Sequence, residues 1–454
     1  MLIFKKYSPP KIKYLLGIML PIIATQASLV GMNFFDTVMS GNYSSADLAG
    51  VAVGSNIWMI VLTTISGILM ASMTIIANLL GEGNTSAISD VVRKSLVMAI
   101  AFNIAIIAAG IVLLPPILEE IGLEPEVYHV AKGYLIAIGC GSPAALLTIP
   151  LRSMVDAMGF TNKSMKIYLI ALPFNAILNY CFIFGAFGVP AFGGIGAGIT
   201  TAITYWILFL MYCYIVVCTS PFNTYQICSK NDAVENIEKE KQLTYFSYLK
   251  MGLPLGLSVM LETSIFGVTA GLVAKFGTVA LAAHQAAINF ASMIYMIPLS
   301  FSLAANIIIG YEYGARNMRM LKMYTRLFIE LSCGVGIIYI ILELIFCGQI
   351  AHLYSNDIEV IPIITNLIML ACIWQVGDML CAPMQGITRG IKDMNATLIA
   401  AVIAFWVICL PLGFYIDYYH HMGVYSYWIS LDIGALTSAL VMYFRLRRDM
   451  KRLA

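Results

Sequence analysis

Twelve apolar runs, each about 20 residues or longer, follow one another along this chain, near 14–38, 48–79, 95–114, 131–151, 165–185, 193–218, 251–274, 280–310, 323–347, 360–388, 396–416 and 425–444. A helix rises about 1.5 Å per residue, so each run can cross a hydrocarbon core of about 30 Å. In that medium every backbone N–H and C=O must find its partner inside the element, which leaves only helices or a closed barrel. The ten-residue alternating pattern of a barrel strand is absent. The expected fold is all-α and integral to a membrane, with twelve transmembrane helices. Composition agrees: 11% of residues are charged, against about 25% in soluble domains. The first run carries an internal acid and lacks a small-residue cleavage site, so no cleavable signal peptide is expected.

Charge placement sets an orientation. If the connections are assigned alternately to two sides, starting from the N-terminus, all 26 basic residues except Lys132 and Lys275 fall on the first side. Cytoplasmic loops concentrate Lys and Arg, so that side is expected to be cytoplasmic and to hold both termini. A missed span would scramble this regularity.

The longest polar segment, TSPFNTYQICSKNDAVENIEKEKQ, lies in the middle of the chain. It reads as a cytoplasmic linker over 219–244, between an N-terminal six-helix bundle (1–218) and a C-terminal one (245–454). The halves are related by a shift of 233 residues. Leu20-Pro21 then falls on Leu253-Pro254, Leu48-Ala49 on Leu281-Ala282, Asn56 on Asn289, Gly81 on Gly314, Asn84 on Asn317 and Pro150 on Pro383. Six helices per repeat give both halves the same membrane orientation. Parallel repeats of this kind belong to transporters, in which one bundle rocks against the other to give alternating access.

Motifs of soluble energy-coupling or hydrolytic machinery are missing: there is no GxxxxGK[ST], HExxH or GxSxG. Gly194-Ile-Gly196-Ala-Gly198 has no preceding strand and reads as close helix packing. The ten cysteines contain no CxxC pair and read as packing residues. The histidines His129, His284, His352, His420 and His421 show no ligand spacing. Neither a resident cofactor nor a nucleic-acid partner is expected, and the chain is taken to act as a monomer in the bilayer.

Three acids inside the apolar runs stand out: Asp36, Glu262 and Asp378. Glu262 sits midway between Lys250 and Lys275 in MGLPLGLSVMLETSIFGVTAGLVA, near the bilayer centre. A charge there costs about 2.5–3.5 kcal/mol on insertion scales, so intramembrane acids are read as functional unless shown otherwise. Asn175 and Asn179, four apart, share a face of one helix and form a polar cluster with Asp36 and Thr201. Phe266 follows Glu262 by one turn, and Trp374 precedes Asp378 by one turn. Aromatic faces attract organic cations. Glu330, Glu343 and Asp432 are further acids in apolar runs without an assigned task, Asp432 being a possible proton or cargo determinant.

Ordered motifs cover essentially the whole chain: PIIATQASLVGMNFFDTVMSG, LRSMVDAMGFT, LPFNAILNY and FGGIGAGITTAITYW, then GLPLGLSVMLETSIF, VALAAHQAAINF, SMIYMIPLS, IWQVGDML, RGIKD and LPLGFY. The chain resembles the multidrug and toxic compound extrusion (MATE) family, and its NorM-type branch in particular. The resemblance implies the MATE/MOP-type transporter fold, two pseudo-symmetric six-helix bundles in a bacterial inner membrane. It also implies export of organic, cationic or hydrophobic compounds in exchange for a coupling cation, Na+ or H+. Glu262 and Asp378 fall on its motif positions as ligands of the coupling cation, with Na+ suited to carboxylate oxygens. Asp36 with Asn175, Asn179 and Thr201 is a second cation-binding candidate, and Asp36 is also a cargo contact. Phe266, Gln285, Tyr295 and Trp374 are the remaining cargo candidates, although Trp374 stands where the branch often has tyrosine. A dedicated exporter of one natural product is the nearest alternative. A lipid-linked oligosaccharide flippase would call for deep basic residues, and a membrane enzyme for a nucleophile or metal motif.

Overall fold

The computed structural model describes residues 9–186, 188–227, 243–355 and 357–453. Residues 228–242 of the expected linker lie outside the described residues. Among the described residues, twelve helices are long and apolar enough to cross a membrane. They are α1 (Pro10–Tyr43), α2 (Ser45–Gly81), α3 (Ser86–Glu120), α4 (Pro125–Ala157), α5 (Thr161–Phe184) and α6 (Gly194–Cys218), followed by α7 (Tyr245–Phe276), α8 (Thr278–Gly314), α9 (Met318–Tyr354), α10 (Val360–Gly390), α11 (Asn395–His420) and α12 (Val424–Arg452). Each falls on one of the twelve apolar runs. Several outrun the apolar stretch by two or more turns, because the polar ends continue the helix beyond the hydrocarbon.

The repeat is visible in the element boundaries. Helix α2 begins at Ser45 and α8 at Thr278, a separation of 278 − 45 = 233. The turn before each carries a different device at equivalent positions. Ser44 accepts the N–H groups of Ala46 and Asp47 at 3.1 and 3.4 Å, whereas Gly277 turns the chain at φ +97°. Asn317 caps α9 by accepting the Met320 N–H at 3.3 Å, and its counterpart Asn84 accepts from the Ser86 hydroxyl at 3.0 Å. The last helices start after Gly193 and Gly423, both at positive φ (57° and 62°). Their offset is 423 − 193 = 230, so the second repeat is three residues shorter by that point.

Two compact units form. One is Leu20–Gly252; the other is Leu253–Ala454 with the N-terminal stretch that ends at Met19. The breaks fall at Leu20 and Leu253, again 233 apart. In the first unit α4 packs against α6 so closely that a Cβ on Gly141 would lie 2.5 Å from Ala202 Cα. In the second, α8 and α10 meet where Gly386 lies against the Ser302 backbone carbonyl. Small residues at such crossings are how helices associate in lipid, where burial of apolar surface supplies little. Helix α11 contains a π-helical stretch, Val402–Cys409, and the Trp406 indole there donates to the Leu261 carbonyl at 3.3 Å.

One ion pair outside the apolar core ties the second unit together. Arg445 grips Asp393 with two hydrogen bonds, 2.6 and 3.1 Å. Burial pushes the Asp393 carboxyl up, but the bonds and charge of Arg445, with the charge of Arg448, outweigh it and hold the group below the usual carboxylate range. A carboxylate with a depressed folded-state pKa stabilises the fold above its unfolded pKa of about 3.9 and loses that contribution on acidification. Arg445→Leu is therefore expected to cost about 1–2 kcal/mol at pH 7 and progressively less below about pH 4. Melting curves across pH check this. An equal deficit at pH 7 and pH 3 would refute it.

Candidate functional site

In the first unit, three helices converge on one carboxylate. Asp36 lies about four-fifths of the way along α1 and is 5% exposed. Its Oδ1 accepts the Asn179 amide at 2.6 Å and the Asn175 amide at 3.4 Å, both from α5. Its Oδ2 accepts the Thr201 hydroxyl of α6 at 2.8 Å. The asparagines share a face because they are four apart, and Asn179 also donates to Asn175 Oδ1 at 3.3 Å. All four residues picked from the sequence thus meet in one network. The carboxylate takes donors on both oxygens, while Asn179 Oδ1 has no partner among the described residues.

The second unit holds a more open arrangement. Glu262 on α7 and Asp378 on α10 are both half-buried, and their carboxylates are close enough to repel each other. Glu262 Oε1 accepts the Gln385 amide at 3.0 Å. The Trp374 indole, one turn before Asp378, lies within electrostatic reach of its carboxylate. Trp374 stacks on Phe266 with ring centroids 5.1 Å apart and planes at 29°. Tyr295 on α8 lies within electrostatic reach of both acids. Five of the sequence-selected residues therefore gather around one place in this unit. Gln285 is exposed.

Four participants were not singled out from the sequence. Gln385 and Arg389 follow Asp378 by 7 and 11 residues, on the same face of α10. Arg389 is 7% exposed, acts electrostatically on Glu262, and donates to Gln385 Oε1 at 3.5 Å. Its place among the cytoplasmic charges concealed this. His284, one residue before Gln285, is the buried one of the two: Trp428 donates its indole N–H to His284 Nδ1 at 3.0 Å. Trp428 also meets Trp374 edge-on at 6.3 Å, which extends the aromatic wall to α12. A step of one residue turns a helix by about 100°, enough to exchange these two roles. Under the 233-residue shift Trp374 corresponds to Gly141 and Asp378 to Ala145, so the first repeat carries close packing where the second carries this site.

The family profile described as MatE matches residues 21–181 and again residues 254–415. The two matches start 254 − 21 = 233 residues apart, the spacing of the repeat. The chain belongs to the MatE family. A protein of Oceanobacillus iheyensis named probable multidrug resistance protein NorM is 42% identical over 437 residues, covering 96% of each chain. One of the same name from Bacillus subtilis is 40% identical over 442 residues, covering 97% of this MatE chain and 96% of that one. Among solved structures, a MOP superfamily transporter from Pyrococcus furiosus superposes with a TM-score of 0.88 at 17% identity, over 97% of this chain and 96% of that one. The fold is thus that of MOP superfamily transporters.

Proposed function

We propose that this MatE protein is a secondary active antiporter that exports organic, cationic compounds in exchange for Na+ or H+ by alternating access. The observation that carries the reading is the pair of half-buried carboxylates, Glu262 and Asp378, set beside the stacked Phe266–Trp374 rings. Two acids that repel each other in a poorly solvated site favour a cation or a proton between them. Carboxylate oxygens suit a hard ion such as Na+. An organic cation is drawn to the same place by the acids and by the aromatic faces, with about 2 kcal/mol or more from a desolvated cation–π contact. Ion and cargo then compete: ion binding displaces cargo, and ion release resets the carrier. The NorM names of the relatives support a broad cargo range.

Asp36 serves the same cycle differently. Its donors Asn175, Asn179 and Thr201 already satisfy the carboxylate, so the cluster holds α1, α5 and α6 together and would accept a cation only if amide oxygens turned toward it. The charge bias of the connections supports a bacterial inner-membrane orientation with both termini cytoplasmic.

The test is efflux of a fluorescent organic cation from proteoliposomes with imposed gradients. Flux that follows an inward Na+ or H+ gradient and stops when both are collapsed is expected. Gradient-independent flux would overturn the antiport reading.

A further inference from the structure

We infer that Glu343 is a proton-binding site of its own, held as the neutral acid in a cyclic pair with the Gln375 side-chain amide. This does not depend on the transport reading. Glu343 lies on α9 and Gln375 on α10, and each is 4% exposed. Gln375 Nε2 donates to Glu343 Oε1 at 3.1 Å. The other oxygens of the two groups, Glu343 Oε2 and Gln375 Oε1, have no hydrogen-bond partner among the described residues. Both are acceptors. An ionised carboxylate facing an amide is short of a donor, and exchanging the amide oxygen and nitrogen only moves the deficit to the other edge. A single proton on Glu343 Oε2 removes it. The new O–H becomes the donor that Gln375 Oε1 lacks, and no other bond has to change.

The surroundings favour the proton over other ligands. On its own helix the acid has Tyr339 and Cys347 as its titratable neighbours one turn away on either side. From α10 the Cys372 thiol lies within electrostatic reach of the carboxyl. Helix α8, also packed on α9, contributes no charged group acting on Glu343 among the described residues. Among the described residues no cation acts on it, so the ionised form would be a buried charge without a counter-ion there, a cost of several kcal/mol. The two carboxyl oxygens and one amide oxygen, flanked by thiols, also fall short of the six or more oxygens that a hard ion such as Ca2+ takes. The Tyr339 hydroxyl lies 3.5 Å from the Gln375 backbone carbonyl and within electrostatic reach of both Glu343 and Asp378. That places the proton one side chain away from the proposed cation site.

Infrared difference spectroscopy of the purified full-length protein tests the inference without any transport assay. At pH 7, well above the titration of free glutamate near 4.3, the wild type is expected to show a protonated-carboxyl band that Glu343→Gln removes. Gln375→Met, which takes away the acceptor, is expected to shift the same band to higher frequency. A band unchanged in Glu343→Gln overturns the site. If that variant does not fold, an unshifted band in Gln375→Met overturns it alone.

Discussion

Glu262→Gln is expected to weaken binding of the coupling cation about a hundredfold or more and to reduce gradient-driven efflux at least tenfold, with the melting temperature within about 2 °C of wild type. The first half follows from Coulomb's law. A unit charge 4 Å from a cation is worth about 4 kcal/mol at an effective dielectric constant near 20, or close to a thousandfold in affinity. The second half follows from the local geometry. Glu262 is half-buried, and its carboxylate accepts the Gln385 amide at 3.0 Å, a bond that a glutamine carbonyl can still accept. Asp378→Asn should behave alike, since its repulsion with Glu262 disappears in either variant. Na+ titration of the purified variants, read by tryptophan fluorescence because Trp374 lies one turn from Asp378, separates binding from folding. Wild-type affinity and wild-type coupled flux in both variants would remove Glu262 and Asp378 from the ion site.

Much of this architecture is legible before any coordinates. Lipid forces helices to be continuous and apolar for about 20 residues, so the twelve spans stand out, and a duplication without insertions keeps Gly81 and Gly314, or Pro150 and Pro383, in register. Asp36 with Asn175, Asn179 and Thr201 is readable for a related reason: a few polar groups in apolar runs must find one another. Legibility fails where the hydrophobic pattern carries no phase. Helix α8 is apolar on several faces, so nothing in the sequence says that His284 turns inward and Gln285 outward. It fails again at helix ends. Arg389 counts as one more cytoplasmic charge until α10 is seen to run to Gly390 and carry it inward beside Gln385. The three-residue shortening before Gly423 also escapes a comparison made at one fixed shift.

Asp36→Ala is expected to act on the fold itself, lowering stability by about 2–5 kcal/mol. Three donors from two helices end on this carboxylate, at 2.6, 2.8 and 3.4 Å. Truncation takes the carboxylate acceptor from a hydroxyl and two amides, and leaves the amides only the longer contacts to Asn175 Oδ1 and Thr204 Oγ1, 3.3 and 3.5 Å. Unsatisfied buried groups cost about 1–3 kcal/mol each in soluble proteins, while interhelical bonds in membranes average nearer 0.6 kcal/mol; those values bracket the estimate. For a unit of about 200 residues this corresponds to a melting temperature about 5–10 °C lower. Asp36→Asn, which keeps the shape and one acceptor oxygen, should lose roughly half as much. The contrast with Glu262 is what matters: a carboxylate satisfied by protein donors is revealed by unfolding, and one left open for a ligand by binding. A melting temperature unchanged in Asp36→Ala, together with lost Na+ affinity, would move the ion site to the first unit and reverse the division of labour between the repeats.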